Sequence, residues 1–475
     1  MIKQDIFNTI DQIAPALISL SDQIWEFAEL SMNETNSAKS YIQILKAHGF
    51  HVTENLCGIP TAFLGQFGTG KPVIGILGEF DALSGLSQKP GVLFKQPLVT
   101  DGCGHGCGHN LLGAASLGAA IAIKEQISTG KLQGTVVFYG CPGEEGCAGK
   151  TFMARDGMFR DLDAALCWHP SDVNEVTTGS NAASLQIEYT FTGISSHAAD
   201  SPEQGRSALD GAELMNIGVQ YLREHMPKSC SVHYSFLDVG GISPNVVQST
   251  AKLLYMVRGD CVKSAKALLK RVNKIAEGAA LMTETNVSSR QIDGTANTLS
   301  NTVLEQLLYS NLCTSPLPVY TEEEIDFAAK LKSTYQSEKL PGHRTAEDIA
   351  LRQFVADQSQ MGKKPLNDFI LPYAPSLRLN PGSTDVGDVS WLTPTAQFTT
   401  ATWPSGVPGH SWQVVSVGKT AIAHKGMIFA TKVLAGTVSD LMQNPCLLEQ
   451  ARKEFSIAAA DGYDCPIPDD LKANA

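Results

Sequence analysis

The sequence predicts an α/β protein whose main domain contains a doubly wound, mostly parallel sheet, with a smaller α+β domain inserted into it. Short apolar runs alternate with helical patterns from about Pro72, and a different, β-α-β-β-α-β order occupies the stretch between about Thr178 and Gln291. The chain has 475 residues, more than one hydrophobic core normally organises. Two domains are therefore expected.

The N-terminal segment, residues 1–30, has the pattern of an amphipathic surface helix. Ile, Leu and Phe recur at helical spacing, while Asp, Gln and Glu interrupt any apolar core that a secretion signal would need. No later segment approaches the roughly 18 to 20 uninterrupted apolar residues of a membrane span. The sequence therefore predicts a soluble protein without a signal peptide or a membrane partner.

The main domain is predicted from strands and helices on both sides of the insertion. Apolar runs at 73–77, 136–140 and 164–167 predict buried strands, and a helical pattern at 111–127 lies between the first two. Helical patterns resume near Asn301 and include an amphipathic segment close to the C-terminus. We therefore assign residues 1–177 and 295–475 to this domain.

The inserted segment, residues 178–294, has its own pattern. Its β-α-β-β-α-β order predicts a compact α+β module. Such a module offers a sheet edge, and exposed edges invite pairing with a second chain. We therefore expect the segment to be a dimerisation or lid domain.

Charge and cysteine content exclude two classes of protein. A net charge of −12, without a Lys/Arg stripe, would repel a phosphate backbone, so nucleic acid is not expected as a partner. The 11 cysteines are an odd number in a long chain without a signal peptide, which disfavours a disulfide framework. A cytoplasmic location is expected, and some of the thiols are candidate metal ligands.

Polar residues follow three of the predicted strands. The first strand leads into Glu79 and Asp81, the second into Glu144 and Glu145, and the third into His169. Open α/β sheets bind ligands at the ends of their strands. Singly, a glutamate pair is usually solvated and a lone histidine usually belongs to the core, but their convergence favours a functional site.

A fourth cluster, GCGHGCGHN, precedes the predicted helix at 111–127. It repeats the Cys-Gly-His spacing, first as Cys103 and His105 and then as Cys107 and His109. Thiolate and imidazole are borderline-soft metal ligands, so either pair could serve a metal centre. The spacing by itself does not choose between them.

Several motifs together resemble the M20 metallopeptidases and amidohydrolases, in the branch that contains auxin-conjugate hydrolases and aminobenzoyl-glutamate utilisation proteins. The resemblance runs nearly end to end. It is carried by GEFDAL, GHGCGHNLLGAAS, PGEEG, CWHP, TGISSHAADSPEQGRSALDG, GGISPNVVQ, GSTDVGDVSW and GHSWQVVSVGKTAIAHKGM.

The resemblance implies two divalent ions, zinc or manganese, as cofactors. The family pattern runs from Cys-Gly-His through Asp or Asn into a helix, and only the second pair is followed at once by Asn110 and that helix. The cysteine stands where many members have a bridging aspartate. The implied metal ligands are Cys107, His109, Glu145, His169 and His410.

Further roles near the metals follow from the same resemblance. Glu144 matches the general base of the family. Glu79 stands where most members have a histidine ligand, and His109 is expected to supply that ligand instead. Asp81 would orient a metal ligand, although an aspartate after a strand is also a common turn residue.

Substrate contacts are implied at three more places. His197 would reach into the site of a partner chain and stabilise the oxyanion, although a loop histidine need have no such role. Asn245 and Arg258 match contacts to a substrate carboxylate, though Arg258 could be an ordinary charge at a strand end. Hydrogen-bond donors on the other side of the substrate would come from Gly382, Ser383 and Thr384. A Pro-Gly-Ser sequence, however, can also be simply a turn.

The resemblance implies hydrolysis of p-aminobenzoyl-glutamate to p-aminobenzoate and glutamate, a reaction on a folate catabolite. It also implies a homodimer, or a heteromer with a homologous A-type partner. Other N-acyl amino acids or dipeptides are alternative substrates, because the same motifs serve them. A non-catalytic metal-binding protein would not need Glu144, and a cysteine nucleophile at Cys107 would leave the other ligands idle.

Overall fold

The computed structural model describes residues 2–337, 340–342, 345 and 348–473. Its strands are β1 (His51–Glu54), β2 (Phe63–Thr69), β3 (Val73–Glu79), β4 (Gly134–Cys141), β5 (Ala164–Ser171), β6 (Glu175–Val176), β7 (Ser180–Asn181), β8 (Ala183–Thr192), β9 (Ser231–Asp238), β10 (Thr250–Gly259), β11 (Asn286–Thr295), β12 (Leu379–Asn380) and β13 (Thr395–Ala401). Its α-helices are α1 (Ile2–Phe27), α2 (Thr35–Ala47), α3 (His109–Ser128), α4 (Gly149–Arg155), α5 (Ala208–Leu222), α6 (Val262–Thr283), α7 (Thr302–Thr314), α8 (Glu322–Lys332), α9 (Ile349–Gln358), α10 (Val386–Ser390), α11 (Trp412–Val417), α12 (Ala421–Gln443) and α13 (Pro445–Ala458).

The central sheet has the strand order β1-β2-β4-β3-β5-β13-β6. Strands β4, β3, β5 and β13 are mutually parallel, while β1, β2 and β6 run antiparallel to their neighbours. Because parallel strands end at the same edge of a sheet, the segments that follow these four strands meet there. The predicted metal ligands lie at or near this edge.

Helix α3 is buried along most of its length because it lies between the sheet and helices α1 and α12. Its glycines and alanines permit this close packing. At Gly113, an added Cβ would lie 2.3 Å from the hydroxyl of Tyr41 and 2.8 Å from the backbone oxygen of Glu79. The helix start, which carries His109, is therefore held firmly against the end of β3.

A second, antiparallel sheet has the order β11-β8-β10-β9, and helices α5 and α6 pack against it around a separate apolar core. Strand β8 alternates buried and partly exposed residues, as expected for a sheet covered on one face. Strand β9 lies at one edge of the sheet, and its Phe236 and Leu237 are exposed.

The fold class expected from the sequence is confirmed, including the β-α-β-β-α-β order of the inserted module. The N-terminal segment forms helix α1, as predicted. Strand β5 continues past the predicted run to Ser171, because its pairing with β13 continues, so that His169 lies within the strand rather than after it. The domain boundaries at 177/178 and 294/295 stay a prediction.

No helix in the described part of the chain combines the length and the apolar character that a bilayer crossing requires.

Candidate metal centre

Two overlapping groups of ligand atoms lie at the carboxyl edge of the central sheet. One atom each from Cys107, His109 and His169 lie within 4.8 Å of one another, and so do those from Cys107, Glu145 and His410. Cys107 belongs to both groups. The structure therefore brings together all five residues that the sequence suggested as metal ligands, with the thiol between two sets.

A turn at Gly108 sets the positions of the two candidate ligands in the second Cys-Gly-His motif. Gly108, between Cys107 and His109, has φ +75°, and a Cβ there would lie 2.9 Å from the Trp403 ring and 3.0 Å from Pro170. A side chain at this position would be both strained and crowded. The local fold therefore requires the glycine that separates the two ligands.

His109 is oriented by Asp81. Its Nδ1 donates a hydrogen bond of 2.9 Å to Asp81 Oδ1, which leaves Nε2 facing the cluster. Asp81 Oδ2 accepts from the Ser31 hydroxyl at 2.8 Å and from the Glu145 amide at 2.9 Å. Burial opposes ionisation of Asp81, but hydrogen bonding to His109 and the charge of that imidazole lower its pKa to about 2. Asp81 is therefore an anionic anchor for two of the ligand segments.

His169 presents its other nitrogen to the cluster. Its Nδ1 donates to the Pro170 carbonyl at 2.7 Å, and its Nε2 lies 3.4 Å from Cys107 Sγ. Burial, reinforced by the positive charge of His109, lowers the pKa of His169 to about 4. The imidazole is therefore neutral near pH 7, the form that binds metals.

His410 lies on the loop between β13 and α11 and adopts φ +53°, an uncommon backbone conformation for a residue other than glycine. Its amide donates to the Gly106 carbonyl at 3.1 Å, which ties this loop to the Cys-Gly-His turn. Its Nε2 lies 3.5 Å from Glu145 Oε1, and its side chain is 55% exposed. Among the ligand candidates, His410 therefore forms the solvent side of the cluster.

A buried lysine, Lys150, lies behind the cluster and was not predicted from the sequence. The Lys150 side chain is completely buried, with Nζ 2.7 Å from Glu79 Oε1 and 2.6 Å from Asp385 Oδ1. Burial disfavours its charge, but Asp385 and Glu79 raise the pKa of Lys150 well above its ordinary value. The available signal was a lysine just before the apolar residues Phe152, Met153 and Ala154, since a lysine buried with them needs a charged partner.

The centre carries excess negative charge. Five buried or half-buried carboxyl groups lie around it, against the cations Lys150 and protonated His109: Glu79, Asp81, Glu144, Glu145 and Asp385. Burial, followed by the charges of Glu79 and Asp385, raises the pKa of Glu144 well above its ordinary value. Buried charge of one sign needs compensation, and divalent cations would supply it.

Two buried atoms without a hydrogen-bond partner among the described residues also support a metal site. Within the described residues, His109 Nε2 and Glu145 Oε1 are buried without a hydrogen-bond partner. Buried polar atoms are normally satisfied, so these two point to a missing partner. Thiol, imidazole and carboxylate donors together suit zinc or manganese.

The first Cys-Gly-His pair lies elsewhere. His105 is buried and its Nε2 donates to the Ile24 carbonyl at 2.9 Å, while Cys103 lines a separate cavity beside Trp25. The structure thus brings the second pair to the ligand cluster and uses His105 to hold helix α1.

His197 and Asn245 lie together, but outside this cluster. The Ala198 amide donates to the Asn245 carbonyl at 3.0 Å, and His197 forms a bridge with Val246. His197 and Asn245 are exposed, and neither lines the cavity that contains the ligand cluster. The chain's own fold therefore does not bring these two side chains to its own site.

Arg258 does approach the site. Its Nη1 donates to Ser383 Oγ at 2.8 Å and to the Pro381 carbonyl at 3.3 Å. Gly382, Ser383 and Thr384 line a cavity of about 580 Å³ together with Cys107, Glu144, Glu145, His169 and His410. The inserted module is thus connected, through Arg258, to the loop that borders the candidate metal centre.

Comparisons with known proteins agree with this arrangement. Residues 75–371 match the profile of Peptidase family M20/M25/M40. The B subunit of the p-aminobenzoyl-glutamate hydrolase of Escherichia coli (strain K12) is 42% identical over 98% of this chain and 98% of that protein. The A subunit of the same hydrolase is 28% identical over 48% of this chain and 55% of that protein.

A solved structure shows the same fold. A Bacillus subtilis protein, described as a dinuclear metal binding peptidase from the M20 family, aligns with a TM-score of 0.56 and 17% identity, over 91% of this chain and 99% of that one.

Proposed function

The chain belongs to peptidase family M20/M25/M40, and on that premise we propose that it hydrolyses the amide bond of p-aminobenzoyl-glutamate to p-aminobenzoate and glutamate. The observation that carries the substrate is the 42% identity, over 98% of both chains, to the B subunit of the E. coli hydrolase. The reaction class is supported by the ligand cluster with Cys107 at its centre.

Cys107, His109 and His169 would hold one divalent ion, and Cys107, Glu145 and His410 would hold the other. When bound, the two ions supply the acidity of a water molecule and the polarisation of the scissile carbonyl. The proposed metals are zinc or manganese, since the donors include a thiol, three imidazoles and a carboxylate. Asp81 fixes the orientation of His109 through its hydrogen bond.

Glu144 is the proposed general base. It lines the cavity beside the ligand residue Glu145 but belongs to neither of the two groups that contain Cys107. A carboxylate in this place can accept a proton from the attacking water and deliver it to the nitrogen of the departing amine.

Recognition of the glutamate carboxylate is assigned to Arg258 and Asn245, with donors from Gly382, Ser383 and Thr384 on the opposite side. Arg258 is already aimed at Ser383, which lines the cavity. A guanidinium can bind a carboxylate through two parallel hydrogen bonds, which a lysine cannot do. This contact would select substrates with a free carboxylate beside the amide.

His197 would complete the site of a second chain by stabilising the oxyanion. Its exposure, and that of Asn245, supports an action across an interface. The edge strand β9, with exposed Phe236 and Leu237, offers a surface for that interface. The partner would be a second copy of the chain or a homologous A-type chain, of which E. coli has an example.

We also propose a cytoplasmic location. All eleven cysteines are described, and none is paired in a disulfide. Free thiols at this frequency suit a reducing compartment.

The direct test measures p-aminobenzoate released from p-aminobenzoyl-glutamate by the metal-loaded chain, alone and mixed with the A-type chain of the E. coli hydrolase. Release in either condition is expected, and a chelated sample serves as the control. Faster cleavage of another N-acyl amino acid or of a dipeptide would replace the proposed substrate but keep the reaction class. No cleavage of any of these, with metal content verified, would favour a non-catalytic metal-binding role.

A further inference from the structure

The two carboxylate oxygens of Glu79 face different partners. Oε1 lies 2.7 Å from Lys150 Nζ, whereas Oε2 lies 3.3 Å from His109 Nε2. That imidazole nitrogen is buried without a hydrogen-bond partner among the described residues. Oε2 therefore points at the atom that the proposed metal centre uses as a ligand.

The spacing of these atoms is that of two ligands on one ion. Metal bonds of about 2.0 to 2.2 Å, at a tetrahedral angle, place two ligand atoms roughly 3.4 Å apart. Glu79 Oε2 and His109 Nε2 are separated by 3.3 Å. One atom each from Glu79, His109 and the proposed base Glu144 also lie within 4.8 Å of one another.

We propose that Glu79 is a further ligand of the ion held by His109, through Oε2. The inference rests on the proposed two-metal function and extends it. With Glu79, the ion between Cys107, His109 and His169 gains a fourth protein ligand. The carboxylate would add one negative charge to the ligands of this ion, beside the thiolate that both ligand groups share.

Lys150 and Asp385 position this ligand. Lys150 Nζ holds the oxygen of Glu79 that does not face His109, and Asp385 holds Lys150 from the other side. Asp385 Oδ2 also accepts the Lys150 amide at 2.8 Å. Metal-binding carboxylates are commonly fixed in this way through their second oxygen.

The test uses metal-loaded protein with competing chelator, and reads the affinity of each ion rather than activity. Wild type should hold two ions, and Glu79→Gln should bind one of them at least about tenfold more weakly. Glu79→His should recover that affinity, because imidazole reaches about as far as a carboxylate and can replace it as a ligand. Asp388→Asn is the matched control, a nearby buried carboxylate outside the ligand groups, and should keep both ions.

X-ray absorption at the zinc edge distinguishes a ligand from a mere neighbour. In Glu79→His, the number of imidazole ligands per pair of zinc ions should increase from three to four. Unchanged imidazole scattering, or Glu79→Gln binding both ions as tightly as wild type, would overturn the inference. If wild type itself fails to hold two ions, the proposed function fails instead.

A matched pair of multiple variants covers the case in which the single variants do not fold. Lys150→Met with Asp385→Asn removes the buried lysine together with its second carboxylate partner, so that no charge stays buried behind Glu79. Adding Glu79→Gln to this variant should weaken the binding of one ion at least about tenfold further, because the ligand is lost in addition to its support. Equal affinities would show that Glu79 acts only as the partner of Lys150, which contradicts the proposal.

Discussion

The Sγ atom of Cys107 lies 3.4 Å from Nε2 of His169, although the two residues are 62 positions apart in the chain. Cys107 lies in the loop just before helix α3 and His169 lies within strand β5, so the packing of α3 against the sheet brings them together. Burial raises the pKa of the Cys107 thiol to about 12, so the thiolate requires a compensating cation. The contact therefore makes Cys107 the first residue to test.

Cys107→Ala should lose most of one divalent ion per chain, because the thiol belongs to both ligand groups and no neighbouring side chain replaces it. Metal analysis by mass spectrometry after dialysis gives the measurement. Cys103→Ala is the matched control, since Cys103 lies in a separate cavity, and should keep wild-type metal content. The opposite pattern would assign the centre to the first Cys-Gly-His pair.

Glu144→Gln should retain the fold and both ions but lose activity by on the order of a hundredfold or more, because it removes a base while leaving the Cys107 ligand groups intact. The measurement pairs the turnover rate with metal content and circular dichroism. A variant within about tenfold of wild type would show that another group moves the proton.

Inactive His197→Ala chains and inactive Glu144→Gln chains should restore activity when mixed under conditions that allow chains to exchange between dimers. In a mixed dimer one site carries both defects and the other carries neither, so about a quarter of wild-type activity is expected after random exchange. His225→Ala, an exposed histidine of the same module, should stay active by itself.

No recovery in this mixture, despite proven exchange, would place His197 in its own chain's site. The mixing should be repeated with an A-type chain present, because a heteromeric partner could supply the histidine. Recovery only in the absence of the A-type chain would indicate that the native contact is heteromeric.

Arg258→Ala should raise the KM for p-aminobenzoyl-glutamate by about ten- to a hundredfold with a smaller change in kcat, since a charge-assisted hydrogen bond to the carboxylate is lost. Arg258→Lys should have a KM between those of wild type and Arg258→Ala, because an ammonium group keeps the charge but cannot form two parallel hydrogen bonds. Lys252→Ala, on the same strand β10, is the control and should leave KM unchanged. Equal KM values for wild type and Arg258→Ala would remove Arg258 from substrate recognition.

Asp388 provides a pH test of the fold. Its carboxylate accepts hydrogen bonds from Thr151, Tyr463 and the Ala296 amide, and burial raises its pKa to about 7. The folded state therefore holds the proton more tightly than the unfolded state, and the stabilisation from protonated Asp388 is lost as pH rises from about 4 to 7.

Asp388→Asn lacks this titration. As pH rises from about 4 to 7, the free energy of unfolding of the variant should increase relative to that of wild type, by up to roughly 1.4 kcal/mol per pH unit. The difference between the two proteins should become constant above about pH 7. Denaturant unfolding with chelator present at every pH measures it. A difference that does not vary with pH would show that Asp388 is ionised throughout.

The sequence could predict which candidate ligands lie together because much of the relevant information is local. Alternating apolar runs marked the parallel strands, and the residues at or just beyond three of them, such as Glu145 and His169, had the types that metals bind. Since parallel strands end at one edge, their convergence followed from the strand pattern. The family resemblance then implied the remaining ligand, His410, whose long loop gives no such pattern.

Other features were decided only by the tertiary structure. Two Cys-Gly-His pairs have the same local spacing, and the fold separates them by bonding His105 to the carbonyl of Ile24 while turning Cys107 toward His169. The pairing of Lys150 with Glu79 and Asp385 joins positions far apart in sequence, so no local pattern encodes it. The physical reason is that a buried charge is tolerated only beside its partners, and only the assembled sheet and helices bring those partners together.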